Sequence, residues 1–197
     1  MFDSRLRGRQ SRWLAAMAGL AVLGLVGLQE TCRRQAPAPA SAPSSIEVYF
    51  SPRGGCTEAI VRELGNAQSS VLVQAYSFTS APIAKALVAA HQRGVRVEVL
   101  LDSSQKSDKY SEADFLANMG IPTRLDGQHA IAHNKVMIID DRVVITGSFN
   151  FTRSAETSNA ENLLVIRDAA LAERYTANWL EHQAHSEPYR GRGEGSR

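Results

Sequence analysis

The chain has 197 residues, of which 44% are hydrophobic and 21% are charged, and these fractions exclude a disordered or a collagen-like protein. Its two cysteines are too few for a disulfide scaffold or a four-cysteine zinc site. Residues 1–45 contain six arginines and only two acids, Asp3 and Glu30, and so have a net charge of +4. Since the whole chain has a net charge of +2, residues 46–197 have a net charge of −2. Overall charge therefore does not support nucleic-acid binding, and any site for a polyanion has to be a local patch.

The first 34 residues have the pattern of an N-terminal export signal or a short membrane anchor. Residues 1–12 contain four arginines, and residues 13–28 form an uncharged apolar run. The positive flank would stay in the cytoplasm, so we expect the rest of the chain to be exported to the periplasm or another extracytoplasmic space. The pattern leaves open whether the leader is cleaved or whether residues 13–28 hold the chain at the membrane. Residues 35–45 are rich in Pro, Ala and Ser and are predicted to be a linker.

The predicted export bears on the two cysteines. An oxidising compartment permits disulfides, so Cys32 and Cys56 could pair there. Cleavage after Ala40 or Ala42 would remove Cys32, and the simpler interpretation is two unpaired thiols with Cys56 packed near a helix start.

From residue 46 onward, short β-branched runs alternate with helical apolar periods. The predicted elements, in chain order, are strand 46–50, helix 57–67, strand 70–76, helix 80–94, strand 95–101, loop 102–109, helix 111–119, strand 121–125, strands 135–139 and 142–146, strand 162–166 and helix 168–185. The pair Asp140-Asp141 predicts a hairpin turn between two of these strands. Because helices and strands alternate and then strands cluster, we predict the α/β class, with a mixed β-sheet flanked by helices on both faces in a single domain, 46–185. Residues 186–197 are polar and are predicted to be a flexible tail.

The chemistry of the chain is concentrated between residues 133 and 161. His133 and Lys135 are two residues apart at the predicted start of a strand, so their side chains should lie on one face and form a cationic site for an anion. Ser148 and Asn150 follow a glycine and add neutral donors. Glu161 is an acid that could orient an imidazole. Together these residue types fit a phosphodiester site in which an imidazole attacks phosphorus and the other groups hold the phosphate oxygens.

Each of these residues also has an ordinary structural explanation. A lone histidine or lysine is usually a surface residue, and Ser148, Asn150 or Asp140 could simply be turn residues. Glu161 could be a solvent-facing residue before a strand. His129 and His133, four residues apart, would form a metal pair on a helix, but they lead into a strand and lack an evident third ligand, so no metal is expected.

The spacing of the whole set distinguishes it from these explanations. The sequence contains H-x-K-x4-D-x6-G-S-x-N, which resembles the HKD motif of the phospholipase D superfamily. The motif positions are His133, Lys135, Asp140, Gly147, Ser148 and Asn150. Segments 49–52, 75–80 and 93–97 resemble the small, single-motif bacterial endonuclease branch, and the likeness extends over about residues 46–185. It implies a phospholipase D-like α/β/α sandwich with one HKD motif per chain.

The resemblance also implies a mechanism. Members of this family work without a metal or other cofactor, through a covalent phosphohistidine, and a histidine from a second motif protonates the leaving oxygen. In the single-motif branch two chains supply the two motifs, so we expect a homodimer with the active site shared across the interface. In the family the motif aspartate supports the local structure and does not touch phosphorus, so the resemblance implies that role for Asp140 within the catalytic set. We expect Glu161 to orient the histidine.

The substrate remains open between two phosphodiesters. Small size and a single motif favour an endonuclease, whereas the apolar leader favours phospholipid head groups at a membrane, and the near-neutral domain weakens the case for DNA or RNA. A third alternative is an inactive module that binds phosphodiesters, against which every motif position is intact.

Overall fold

The computed structural model describes residues 44–192. This part contains eight β-strands, five α-helices and a 3₁₀ turn at Ser103–Lys106. The strands and helices, in chain order, are β1 Ser45–Ser51, α1 Cys56–Asn66, β2 Ser70–Ala75, α2 Ala81–Gln92, β3 Arg96–Asp102, α3 Ala113–Asn118, β4 Thr123–Asp126, β5 Lys135–Ile139, β6 Val143–Gly147, α4 Arg153–Thr157, β7 Glu161–Arg167, α5 Ala169–His185 and β8 Glu187–Tyr189.

All eight strands belong to one mixed sheet with the order β1-β7-β6-β5-β2-β3-β4-β8. The pairs β2-β3 and β3-β4 are parallel because a helix separates the two strands of each pair in the chain. The remaining pairs are antiparallel, including β5-β6, which form the predicted hairpin. The sheet thus brings the motif strands β5 and β6 to its centre, beside β2.

Helices cover both faces of this sheet, as predicted. The larger core joins one face to α1, α2, α3 and α4. The smaller core joins the other face to α5, whose Trp179 is fully buried and donates its indole N–H to Val73 O at 2.9 Å. Every residue of β2 is buried, with Val71 and Val73 in the larger core and Leu72 in the smaller. The α/β class and the layered arrangement are therefore confirmed.

The C-terminal segment differs from the prediction. Glu187–Tyr189 form strand β8, which pairs with β4, so the expected flexible tail from residue 186 is wrong for these residues. Arg124 holds the segment, since its side chain donates to Ser186 Oγ at 2.8 Å and also to the Ser186 carbonyl. A polar three-residue strand carries no hydrophobic period, so only its pairing partner reveals it.

Two further elements were not predicted. The 3₁₀ turn Ser103–Lys106 lies within the predicted loop 102–109, and α4 follows the motif. Both are only about one turn long, too short for a periodic signal.

The predicted leader, 1–34, and most of the linker lie outside the described residues. Within 44–192, no helix is long and apolar enough to cross a membrane. Cys56 is buried at the start of α1, where burial raises the pKa of its thiol to about 11. Cys32 lies outside the described part, so the pairing of the two cysteines stays a prediction.

Candidate active site

The motif residues other than Asp140 lie where five neighbouring strands end. In sheet order these are the C-terminal end of β1, the N-terminal end of β7, the C-terminal end of β6, the N-terminal end of β5 and the C-terminal end of β2. The antiparallel pairing places all five ends at the same edge of the sheet. Residues far apart in the chain, such as Ser51 and Lys135, therefore border one region.

His133 and Lys135 lie side by side, as the sequence predicted. Lys135 is the first residue of β5 and is buried, whereas His133 lies just before the strand and is exposed. The Lys135 ammonium donates to His133 O at 2.6 Å and lies 3.0 Å from His133 Nδ1. A buried cation beside an exposed imidazole provides both a phosphate ligand and a nucleophile that substrate can reach.

Tyr76 completes this pair from the end of β2. Its ring centroid lies 4.5 Å from that of His133, and Lys135 Nζ lies 5.2 Å from the same ring. The Tyr76 N–H donates to Asn134 O at 2.8 Å, which ties β2 to the residue between the two motif side chains. Tyr76 thus limits the orientations of both His133 and Lys135.

The glycine of the motif permits a close backbone approach. Gly147 has φ +149°, and a Cβ atom there would lie 2.2 Å from Asn162 O. That carbonyl instead accepts from the Ser148 N–H at 3.1 Å, and the Ser148 hydroxyl oxygen accepts from the Asn162 N–H at 3.1 Å. Ser148 is exposed and its hydroxyl proton remains available to a phosphate oxygen.

Asn150 and Glu161 lie on the loop after β6 and at the start of β7. Asn150 Oδ1 is buried without a hydrogen-bond partner, which is rare and marks the amide as a group that a bound molecule or water would complete. Glu161 accepts from Asn159 Nδ2 at 3.2 Å. Within 44–192 no hydrogen bond joins Glu161 to His133, whose Nδ1 faces Lys135 instead. The expected contact between Glu161 and His133 is therefore not present in the described residues.

Glu161 acts on Lys135 through its charge. Burial lowers the pKa of Lys135 because it disfavours the ammonium form, and the nearby Glu161 carboxylate partly opposes this effect. A phosphate bound beside Lys135 would act in the same direction as Glu161 and favour the charged amine.

Asp140 lies at the opposite end of β5 from Lys135. It has φ +53° in the β5–β6 turn. Its carboxylate accepts hydrogen bonds from the N–H groups of Gln68, Ser69 and Ser70 and from the Ser69 hydroxyl. Asp140 therefore ties the motif hairpin to the residues that precede β2 and does not contact the site.

We predict that Asp140→Asn destabilises the fold. Burial alone would raise the pKa of Asp140, but the three backbone N–H donors outweigh it and lower the pKa. The ionised carboxylate therefore stabilises the fold at neutral pH, and this contribution is lost as the pH falls through the lowered folded-state pKa. Losing it should cost about 1–3 kcal/mol of the free energy of unfolding, measured by urea denaturation at neutral pH, and the cost should shrink near pH 3. Asp141→Asn, at the exposed neighbouring position, is the matched control, and an equal loss in both variants would contradict the assignment.

Sequence reasoning missed two residues that shape the site. Tyr76 lies in segment 75–80, which resembles the single-motif branch, and directly after a buried strand, but neither signal was used to give it a role. Asp102 is buried at the end of β3, and its Oδ2 accepts from the Ala132 N–H at 2.7 Å, next to His133. Asp102 begins the predicted loop 102–109, to which the sequence assigns no specific role.

His129 does not pair with His133. It lies with Asp126, His182 and His185, the one group within 44–192 whose side chains could together hold a metal ion. His182 and His185 lie in the last turn of α5 and are partly buried. This group is separate from His133 and Lys135.

The family profile described as "Cardiolipin synthase, PLD-like domain" matches residues 60–182, which include every predicted site residue. The protein named phospholipase D from Rickettsia felis is 45% identical over 141 residues, 72% of this chain and 70% of that protein. The chain belongs to the phospholipase D superfamily. Phospholipase D superfamily membership makes this chain a phosphodiester hydrolase, and it confirms the resemblance of the motif.

Solved and more distant relatives agree with this membership. The phospholipase D family member Nuc from Salmonella typhimurium superposes with a TM-score of 0.73 and 40% identity, covering 76% of this chain and all of that one. The mitochondrial cardiolipin hydrolase of Canis lupus familiaris is 33% identical over 158 residues, 78% of this chain and 61% of that protein. These superfamily relatives carry differing names, so membership alone does not select the substrate.

Proposed function

We propose that this chain is an exported endonuclease that cleaves phosphodiester bonds through a covalent bond between His133 and phosphorus. The observation that carries the proposal is the pairing of an exposed imidazole with a buried ammonium at the same sheet edge as the free Ser148 hydroxyl. Such a site can bind a phosphate, attack it and hold its charge without a metal ion. The predicted leader would deliver the enzyme to the periplasm.

The first step forms the bond between an imidazole nitrogen of His133 and phosphorus and breaks the bond from phosphorus to the leaving oxygen. Lys135 and the donors of Ser148 and Asn150 hold the nonbridging oxygens as charge redistributes. When Lys135 turns to the phosphate, its contact with His133 Nδ1 is released, and Glu161 is the nearby carboxylate that can then orient the ring. The leaving oxygen needs a proton from a second acid.

We assign that acid to His133 of the partner subunit in a homodimer. As a protonated imidazole it gives its proton to the leaving oxygen, and as a base it then takes one from water. The water oxygen attacks phosphorus, the N–P bond breaks, and both histidines return to their starting states. Two copies of one exposed histidine thus supply the attacking and protonating groups.

An exposed apolar face supports this dimer. Ile46, Val48 and Phe50 alternate along β1 and are 66%, 51% and 64% exposed, on the face of the sheet where α5 covers only the central strands. The face reaches the site, because Phe50 pairs with Asn162, the residue that bonds Ser148. A second copy of the chain covering this face would bring its own His133 towards the first.

Nucleic acid is favoured as the substrate by the surface next to the motif. A cavity of about 360 Å³ is lined by Thr79 after β2, by Arg153 after β6, and by Thr57 and Glu58 of α1. The exposed Arg53 lies close by, since its N–H donates to Glu156 O at 2.7 Å and Glu156 also lines the cavity. Arg153, with Arg53 on the neighbouring loop, would suit the adjacent phosphates of a bound polynucleotide.

The competing substrate is a membrane phospholipid. Relatives named phospholipase D and mitochondrial cardiolipin hydrolase, together with the apolar run 13–28, favour it. A lipid offers one or two phosphodiesters, so it would not use the contacts that Arg153 and Arg53 offer to neighbouring phosphates of a polynucleotide.

The test is incubation of the full chain, in EDTA, with labelled DNA, labelled RNA, phosphatidylcholine vesicles and cardiolipin vesicles. We expect cleavage of nucleic acid that resists EDTA and falls steeply as salt rises, because phosphate contacts release counterions. Arg153→Gln should raise the KM for DNA because it removes a contact to a phosphate. Arg142→Gln is the control, since Arg142 is exposed at the opposite end of β6. Release of lipid head groups with DNA left intact would overturn the endonuclease, and binding without any turnover would indicate the inactive module.

A further inference from the structure

Four side chains that take no part in the proposed phosphodiester site meet at the C-terminal end of β4, at the same edge of the sheet as the motif. Asp126 is the last residue of β4, His129 lies three residues later, and His182 and His185 lie in the last turn of α5. One donor atom from each residue lies within 4.8 Å of the other three. The chain separation between Asp126 and His182 is 56 residues, so the tertiary fold assembles this group.

The donors surround the Asp126 carboxylate. Its Oδ2 lies 2.6 Å from His182 Nδ1, 3.3 Å from His185 Nε2 and 3.4 Å from His129 Nδ1. In a tetrahedral zinc site with ligand bonds of about 2.0–2.1 Å, neighbouring donors lie about 3.3 Å apart. Two of the carboxylate distances match that spacing, and binding an ion would widen the 2.6 Å contact with His182 and draw in the donors that are up to 4.8 Å apart.

Hydrogen bonding alone leaves the group incomplete. His185 Nε2 is buried and makes no hydrogen bond, despite its distance to the carboxylate. The three rings are close together, with centroid separations of 4.8 to 5.3 Å. A buried ring nitrogen without a partner is costly. A cation shared by the four donors would satisfy every one of them.

The surroundings favour a cation and give it a route in. His182 and His185 lie in the last turn of the 17-residue α5, where the helix dipole is negative. Asp126 is 2% exposed and His129 is 46% exposed at the side chain, so the site has a buried anionic base and an open side. A cavity of about 390 Å³, lined in part by Gly127, Gln128 and His185, adjoins the group and also carries Lys106 and Glu187.

We propose that Asp126, His129, His182 and His185 bind one divalent transition-metal ion, with Zn²⁺ as the best fit. Three imidazoles and one carboxylate are a nitrogen and oxygen donor set that Zn²⁺ accepts in tetrahedral geometry. Because the chain supplies all four ligands, no position is open for substrate or water, and the ion is structural. It takes no part in the attack on phosphorus.

The ion would fix the loop that carries the catalytic histidine. Residues 127–134 connect β4 to β5 and contain both His129 and His133. A metal would join the start of this loop to the end of α5, directly before β8. The proposed ion thus stabilises the position of His133 from four residues away without contacting the substrate.

The experiment measures metal binding by the full chain, independently of its activity. After dialysis against a chelator, ZnCl₂ is titrated by calorimetry, and Co²⁺ is titrated by the visible absorption that tetrahedral cobalt produces. We expect one equivalent of Zn²⁺ to bind, a tetrahedral cobalt spectrum, and a rise in Tm on adding either ion. His182→Ala and His185→Ala should each weaken binding by about 100-fold and abolish the cobalt spectrum.

The matched control is His91→Ala, which removes a partly buried histidine of α2 outside the group and should bind like the wild type. Should a variant fail to fold, His182→Gln is measured instead, with circular dichroism to confirm its secondary structure. Absence of saturable binding in the wild type, or equal binding by all variants, would overturn the proposed site. Since these readouts do not involve turnover, the endonuclease proposal can fail while the metal site stands, and the reverse.

Discussion

His133→Ala is expected to lower the turnover of a phosphodiester substrate by about 10³-fold or more, because it removes the only nucleophile that the proposed mechanism uses. The fold should be unaffected, since His133 is exposed and lies before the first residue of β5. Substrate binding should persist through Lys135 and Ser148. The measurements are kcat and KM with labelled DNA and the free energy of unfolding of each protein.

The same variant tests the covalent step. Wild-type reactions quenched in alkali should yield a phosphorylated peptide that contains His133, and the variant should yield none. His91→Ala, a histidine of α2 away from the site, should retain both turnover and the adduct. Wild-type turnover by His133→Ala, or an adduct that survives in it, would show that another residue attacks phosphorus.

Chains with His133→Ala should also lower the activity of wild-type chains with which they form mixed dimers. If each site needs a histidine from both subunits, a dimer with one altered chain is inactive. With a roughly ninefold excess of the variant and full exchange of subunits, about one wild-type chain in ten finds a wild-type partner, so activity per wild-type chain falls about tenfold. The measurement is DNA cleavage after the two chains are co-refolded.

The control for this experiment is the same mixture assayed before the subunits exchange, which should retain full activity per wild-type chain. Phe50→Asp supplies a second check, because a charge on the exposed apolar face of β1 should weaken the dimer and lower activity at high dilution. Activity per wild-type chain that does not change on mixing, or full activity from a chain that sediments as a monomer, would contradict the shared site.

The Asp140 turn shows where local sequence was sufficient. The spacing from Lys135 to Asp140 and on to Gly147 fits two strands joined by a short turn, and the structure has that hairpin. The function of the aspartate could not be obtained in the same way. Its hydrogen-bond partners, Gln68 to Ser70, lie about 70 residues earlier, and only the antiparallel pairing of β5 with β2 brings them to the turn.

The predicted site residues lie close together in the sequence, whereas the missed ones reach the site through the pairing of distant strands. His133, Lys135, Ser148 and Asn150 lie within 18 residues, so their spacing along two adjacent strands could be interpreted as one constellation. Tyr76 contacts His133 because β2 pairs with β5, and the hydrophobic periodicity of the sequence does not predict that pairing. The contact expected between Glu161 and His133 is likewise absent within the described chain.

The sequence by itself determined the alternation of helices and strands, the hairpin and the family motif, because each depends on residue type and on spacings of a few residues. Tertiary structure alone decided the order of the strands, the eighth strand, and the meeting of Asp126 with His182 and His185. These features depend on how α5 packs across the sheet, burying Trp179 against β2 and carrying its last turn to the end of β4. That packing is driven by the burial of apolar area. Because the hydrophobic effect is non-directional, the apolar face of a helix does not specify which part of the sheet it covers.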